Sequence, residues 1–266
     1  MQISEDVVEA LHADGAICVR GALDAASLAA FERAWRWSID HPGPLASPLT
    51  AGATDAVQDL CNPDALAHYR APLLASKVGA IAARAMSSTS VWFMYEQVFH
   101  KWAGHSAATP WHQDTSYLAV NGPDLLVMWI SFDAVPRSQA LEFVRASHRG
   151  PLYNTSRFDP ADPTRPIFDS DELPRLPPVE ARRADFDLLG WATEPGDVVL
   201  FHPSTLHGGG PTSAEAPERR TLTLRFFGER AHFEQRPGPA GPFHEDLRSS
   251  LVPGAPFRHE RFLLLV

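Results

Sequence analysis

Glu218-Arg219-Arg220-Thr221-Leu222-Thr223-Leu224-Arg225-Phe226-Phe227 divides cleanly into two faces. In an extended chain, side chains alternate sides with a period of two. Arg219, Thr221, Thr223 and Arg225 then share one face, while Arg220, Leu222, Leu224 and Phe226 share the other. The β-branched and aromatic content of Thr221–Phe227 fits a strand with one apolar side. If that side packs outward on helices, Arg219 points into the interior of the β structure. If the apolar side is interior, Arg220 takes that place. Working outward, Val91–Phe99, Trp111–Val120, Leu125–Val135, Ala140–Val144 and Asp197–Phe201 also read as strands, punctuated by Gly, Pro and Asn. A succession of short strands indicates a sandwich or barrel, not a parallel βαβ sheet.

The region before Ser87 has a different grammar. Residues 4–13 have helical spacing and end at Gly15; Ala16-Ile17-Cys18-Val19 is a short strand. Asp24 is placed to cap a helix from Ala25 to Asp40, and an alanine-rich helix is expected over 72–86 with Pro72 in its first turn. Residues 151–190, rich in Pro, Asp and Arg, are too long for a simple connector and read as a lid-like insertion. The Pro- and Gly-rich tail ends in Phe262-Leu263-Leu264-Leu265-Val266, an apolar run that should dock on the core or on a partner subunit. The organisation expected is one domain: N-terminal helices over about 1–87, a β core over about 88–230 and a tail over 231–266.

The 266 residues suffice for one domain with a substantial core, and 44% are apolar. No apolar run approaches the roughly 20 residues that span a bilayer. The acidic start lacks the basic and apolar stretches of a secretory signal, and two cysteines, Cys18 and Cys61, make neither a disulfide framework nor a CxxC knuckle. A cytoplasmic setting is expected. The net charge of −9, with only short basic pairs such as Arg182-Arg183, argues against nucleic acid or an anionic membrane as partner.

Candidate chemistry rests on His-x-Asp, which on a strand presents both side chains on one face. Two histidines and a carboxylate bind one face of Fe(II) and leave the other open. The chain has three copies: His12-Ala13-Asp14, His112-Gln113-Asp114 and His244-Glu245-Asp246. The first lies at a helix end and the third in the polar tail, so both read as solvated. Only His112 and Asp114 lie in a strand-like stretch. A third ligand should follow a distant strand, and Asp197–Phe201 leads into His202-Pro203-Ser204-Thr205-Leu206-His207-Gly208-Gly209-Gly210. His207, followed by glycines that permit close backbone approach, is the candidate; a turn histidine with a satisfied hydrogen bond fits the local sequence as well.

Trp111-His112-Gln113-Asp114, Trp129, Ala140-Leu141-Glu142-Phe143-Val144-Arg145-Ala146-Ser147-His148, Pro195-Gly196-Asp197, His207-Gly208 and Arg219-Arg220 follow one another as in phytanoyl-CoA dioxygenase-like proteins. The resemblance spans roughly residues 12–228. It implies a double-stranded β-helix (a cupin-like jelly roll) with flanking helices, and Fe(II), 2-oxoglutarate and O2 as cofactor and co-substrates. It assigns the metal to His112, Asp114 and His207, and the far carboxylate of 2-oxoglutarate to Arg219, with Gln97 and Trp129 near the co-substrate. The activity implied is hydroxylation of an unactivated C–H bond of a small-molecule substrate, with release of succinate and CO2. Relatives that halogenate lack the carboxylate that Asp114 supplies. Two departures stand out: Arg145-Ala146 replaces the usual Pro-Gly before Ser-His, and the His207–Arg219 spacing is one residue longer than usual. The residues alone also fit a zinc hydrolase or a non-catalytic jelly-roll binding protein.

Overall fold

The computed structural model describes residues 3–49, 54–102, 104, 106–159, 161–243 and 245–266; His244, in the third His-x-Asp copy, lies outside them. Arg219–Phe227 is a strand near the middle of an eight-stranded antiparallel sheet. Its neighbours are Leu125–Ser131 on one side and Trp92–Lys101 on the other. Val198–Phe201 and Ala16–Val19 complete one wing. Ala56–Leu60 and Ser47–Pro48, strands not expected from the sequence, extend the other. A second sheet runs Thr109–His112, His207–Gly209, Leu141–Val144, Leu188–Gly190, again antiparallel throughout. The two sheets form the double-stranded β-helix.

One face of the large sheet is apolar and lies under the N-terminal helices. Leu222 and Leu224 are fully buried there, with Met128, Ile130 and Leu200, against Phe31, Trp35 and Ile81. The helix Ala25–Asp40 buries Phe31, Ala34, Trp35 and Ser38, one stripe at helical spacing, and Asp24 caps it by accepting from the Ser27 N–H at 2.8 Å. Each buried leucine contributes roughly 1.5–3 kcal/mol, so the register of 219–227 is strongly fixed; a slip of one residue would drive Arg219 and Arg225 under the helices. The apolar side thus faces outward to the helices, as the first of the two alternatives required. Arg220 goes with it, bonded to Asp133 just after the strand Leu125–Ser131 and to Glu32 on the helix.

Three expected elements are corrected. The helix over 72–86 is two helices, Leu66–Ala75 and Val78–Met86, and Pro72 lies inside the first. The break falls at Ser76, whose extended backbone ends the first helix. Trp111–Val120 is not one strand: Thr109–His112 gives way to a 3-10 turn over Asp114–Tyr117, then to Val120–Asn121. Leu125–Val135 stops at Ser131, whose hydroxyl turns back to the Asp133 carbonyl. The terminal apolar run docks on its own chain. Leu263–Leu264 pairs with Trp92 and Phe93, and the Val91 N–H donates to the Val266 carbonyl. Among the described residues, no helix is long and apolar enough to cross a membrane.

Candidate metal and co-substrate site

The inner face of the large sheet and the small sheet enclose a cavity of about 260 Å³. Its centre carries three ligand-bearing side chains. His207 opens the strand His207–Gly209 and pairs directly across from His112, the last residue of Thr109–His112. Gln113 keeps an extended backbone (φ −118°, ψ 127°), so alternation persists through one more residue. Asp114 therefore returns to the His112 side although it opens the 3-10 turn. The Asp114 Oδ1 lies 3.4 Å from His112 Nε2 and 3.8 Å from His207 Nε2, and ligand atoms of all three lie within 4.8 Å of one another.

Local hydrogen bonds prepare these groups to accept a cation. His112 Nδ1 donates to the Pro110 carbonyl at 2.8 Å, and His207 Nδ1 to the Thr205 carbonyl at 2.8 Å. Both bonds place the ring proton on Nδ1 and leave the Nε2 lone pair facing the cavity. Burial, then the neighbouring His112, pushes the His207 ring down to about 3, so it stays neutral. Burial alone would raise the Asp114 carboxyl. The Arg225 guanidinium and the His112 ring outweigh it and hold Asp114 well below the usual carboxylate range. Two imidazoles and one carboxylate, with ligand atoms within 4.8 Å of one another, form a donor set that fits a divalent metal with open positions.

Arg219 lies on the inner face, buried, with Nη1 donating to the Gln139 carbonyl and Nη2 to the Gly210 carbonyl at 3.1 Å. A side chain at Gly210 would place a Cβ 2.6 Å from the Gln139 backbone, so glycine is required where these two carbonyls converge. Directly opposite Arg219 in the sheet is Lys101, also buried, with its ammonium donating to the Ala107 carbonyl at 2.9 Å. Neither cation has an ion-pair partner among the described residues. Burial lowers Arg219 to about 10, and burial together with the Arg219 charge lowers Lys101 to about 7. Two buried cationic side chains placed side by side suit a bound anion.

Gln97 and Trp129 also line the cavity, on strands flanking Thr223. Gln97 spans the sheet, donating to Gln58 Oε1 at 3.0 Å and accepting from Arg225 Nη2 at 2.8 Å. The other histidines singled out in the sequence lie elsewhere. His12 bonds the Ala85 carbonyl and Asp14 pairs with Arg145. His202 is bound to Gly122 and Ser204. Ala146, where the resemblance leads one to expect glycine, holds the left-handed conformation (φ 59°) that glycine adopts readily. The longer spacing from His207 is absorbed before Arg219, which still faces the cavity.

The residues not anticipated are Lys101, Arg225, Tyr95 and Phe158. Phe158, from the 151–190 insertion, sets its ring 5.2 Å from His112 and stacks on Tyr117. Gln113, the middle residue of His-x-Asp, points away from the cavity and fastens that insertion. Its amide nitrogen donates to the Pro151 carbonyl, its amide oxygen accepts from the Tyr153 N–H, and its own N–H donates to Thr155 Oγ1.

Solved structures share this architecture. The non-heme alpha ketoglutarate dependent epimerase SnoN from nogalamycin biosynthesis superposes with a TM-score of 0.73 at 20% identity, covering 98% of this chain and 95% of that one. The carbocyclase SnoK from the same biosynthesis does so with a TM-score of 0.73 at 19% identity, over 99% and 97%. At these identities the likeness establishes the fold. A curated relative, the probable alpha-ketoglutarate-dependent hypophosphite dioxygenase of Stutzerimonas stutzeri, is 30% identical over 118 residues, 44% of this chain and 38% of the relative. The match thus spans well under half of that relative's length. Far broader is the match to the sequence model of Phytanoyl-CoA dioxygenase (PhyH), which runs over residues 11–221 and takes in His112, Asp114, His207 and Arg219. Over that span, on a double-stranded β-helix with two histidines and an aspartate converging in its cavity, the chain belongs to the phytanoyl-CoA dioxygenase family.

Proposed function

We propose that this chain is an Fe(II)- and 2-oxoglutarate-dependent dioxygenase that hydroxylates a C–H bond of a small molecule, with succinate and CO2 as co-products. In this reading His112, Asp114 and His207 hold the iron, and Arg219 holds the far carboxylate of 2-oxoglutarate with Lys101 beside it. The observation that carries it is the unpaired couple Lys101–Arg219, buried in the same cavity as the triad. A dicarboxylate bound to the metal by its keto-acid end offers a second carboxylate to such a couple. A zinc hydrolase would use the triad but would leave these two cations without a task.

Ferrous iron with 2-oxoglutarate and O2 supplies the oxidising power. The chain's own residues supply placement. The two backbone carbonyls orient the imidazoles, and Arg225 holds Asp114 Oδ2 so that Oδ1 faces the metal position. Phe158 and Tyr117 cover the His112 side and limit the entry of water, consistent with a lid role for residues 151–190. The cavity volume, about 260 Å³, lies just under the usual range of about 300–1,000 Å³ for ligand sites, which suits a small co-substrate and a small organic substrate. We place the enzyme in the cytoplasm, where reducing conditions keep iron ferrous.

The test is the visible spectrum of the anaerobic protein loaded with Fe(II) and 2-oxoglutarate. A weak metal-to-ligand band, lost in His207→Ala and weakened in Arg219→Ala, is expected, followed by oxygen-dependent succinate release. Absence of the band in folded, iron-loaded protein would refute the assignment, and absence of succinate release would leave a non-catalytic binder.

A further inference from the structure

Arg225 is a second buried guanidinium in the cavity, and the proposed reaction leaves part of it unused. It lies on the same strand face as Arg219, six residues further along, or roughly 20 Å at the usual rise of a strand. Its Nη2 donates at 2.8 Å both to Asp114 Oδ2 and to Gln97 Oε1. Its Nε and Nη1 are buried and have no hydrogen-bond partner among the described residues. The guanidinium carbon sits 4.9 Å from the centre of the Tyr95 ring, so the cation is walled by an aromatic face and opens on the cavity.

Unpaired donors on a buried cation are unfavourable, each by roughly 1–3 kcal/mol or more for a charged group. Only oxygen acceptors in the cavity can satisfy them. Charge points the same way, on the reading proposed above. A divalent metal and Asp114 leave one positive charge, which with Arg219 balances the co-substrate dianion. Arg225, whose partner Asp114 is counted with the metal, and Lys101, beside Arg219 at the far end, then exceed the anionic charge, and Arg225 is the one of the two beside the metal. A guanidinium is suited to oxyanions, which accept charge-assisted hydrogen bonds from it.

We propose that Arg225 forms a second anion subsite that anchors the primary substrate, and that this substrate carries an acidic group, a carboxylate or a phosphorus oxyacid, close to the position oxidised. Arg225 is thus a specificity-determining residue in addition to the partner of Asp114. The Tyr95 and Gln97 side chains frame the subsite, and Leu60, opposite Gln97 in the sheet, supplies an apolar wall.

The test uses the full chain loaded anaerobically with Fe(II) and saturating 2-oxoglutarate, so that the Lys101–Arg219 end is filled. Acetate, methylphosphonate and neutral acetamide are titrated in, with calorimetry and the visible band as readouts. Expected is binding of both anions at least tenfold tighter than acetamide, with that preference abolished in Arg225→Gln when wild type and variant are compared at the same fractional saturation of the 2-oxoglutarate band. Arg225→Lys, which keeps the charge, should retain a reduced preference and serves if the Gln variant does not fold. Equal binding of acetate and acetamide by the wild type overturns the proposal. So does a loss of 2-oxoglutarate affinity in Arg225→Gln with acetate binding unchanged, which would assign the two donors to the near carboxylate of the co-substrate. If 2-oxoglutarate gives no band at all, the dioxygenase reading fails; Arg225-dependent binding of acetate to the metal-loaded protein would still uphold the subsite, and its absence would overturn it.

Discussion

Replacing Lys101 by Met should weaken 2-oxoglutarate binding and stabilise the empty protein, two effects of opposite sign from one buried charge. Burial and the facing Arg219 hold the Lys101 ammonium at about 7, against an ordinary 10.5. Asp55 is the one acidic group that supports its charge, and Ala107 supplies its hydrogen bond. The unfolded chain therefore binds more protons than the folded one between pH 7 and 10.5. Stability rises with pH through that window, and the penalty is fully present below it. At pH 7 it amounts to about 4 kcal/mol. The Met variant escapes it but leaves the Ala107 carbonyl unpaired, roughly 1–2 kcal/mol in the other direction, for a net gain of about 2–3 kcal/mol. A bound carboxylate reverses the logic, since it favours the charged lysine. Half the lysines are charged at pH 7 and about one in a hundred at pH 9, so wild-type affinity should fall about 50-fold between them. In Lys101→Met it should be weak and flat. Trp129 borders the cavity, so quenching of tryptophan fluorescence reads binding, and urea denaturation reads stability. A wild-type dissociation constant that stays level from pH 7 to 9, or a Met variant that binds as tightly as wild type, would refute the role given to Lys101.

Arg220→Ala should leave 2-oxoglutarate binding unchanged and lower stability by roughly 1–2 kcal/mol, because this arginine ties Asp133, in the turn after Leu125–Ser131, to Glu32 on the helix; a change in co-substrate affinity would reverse the assignment of the two arginines. Ala146→Gly should raise stability by about 0.5–1 kcal/mol in thermal denaturation, since Ala146 holds φ 59°; a lower melting temperature would contradict the strain argument. Phe158→Ala should raise consumption of 2-oxoglutarate uncoupled from substrate oxidation, because its ring shields the His112 side of the cavity; unchanged coupling would remove Phe158 from the lid. Phe262→Ala should cost about 3–5 kcal/mol in urea denaturation, as its ring packs on Phe227 and Phe257; a loss below 1 kcal/mol would show that the docked tail contributes little.

The parts of this architecture that were legible in the sequence are those written in a short period. Ala25–Asp40 declares itself by a capping aspartate and a stripe at helical spacing, and its ends match those expected. The alternation over 219–227 declares two faces, and burial of Leu222 and Leu224 under the helices selects Arg219 over Arg220 as the arginine that faces the cavity. Where tertiary contacts set the boundary, the pattern misled. Trp111–Val120 has strand composition throughout, yet the Thr115 N–H bonds to the Pro203 carbonyl and the chain turns at Asp114. Pro72 suggested a helix start, but the helix begins at Leu66 and continues through the proline.

What could not be read is which residues of separate strands meet, and the chemistry of the cavity depends on that. Lys101 gains its meaning from lying across from Arg219, a pairing fixed by the register of Arg219–Phe227 on Trp92–Lys101. In sequence it is one more lysine at the end of an apolar strand. Arg225 was visible on the Arg219 face, but its bond to Asp114 depends on a turn that the sequence hides. The same alternation explains both ends of the site. Going from Arg219 to Arg225, every second residue faces inward and the intervening ones fill the core, so the strand carries its two buried cations to opposite ends of one face. His112-Gln113-Asp114 uses the alternation in the same way, turning His112 and Asp114 inward and Gln113 outward to hold residues 151–155. Two of the three proposed metal ligands and the anchor of the cover thus come from three consecutive residues. A substitution at Gln113 that leaves the backbone extended should therefore disturb the cover while sparing the ligands.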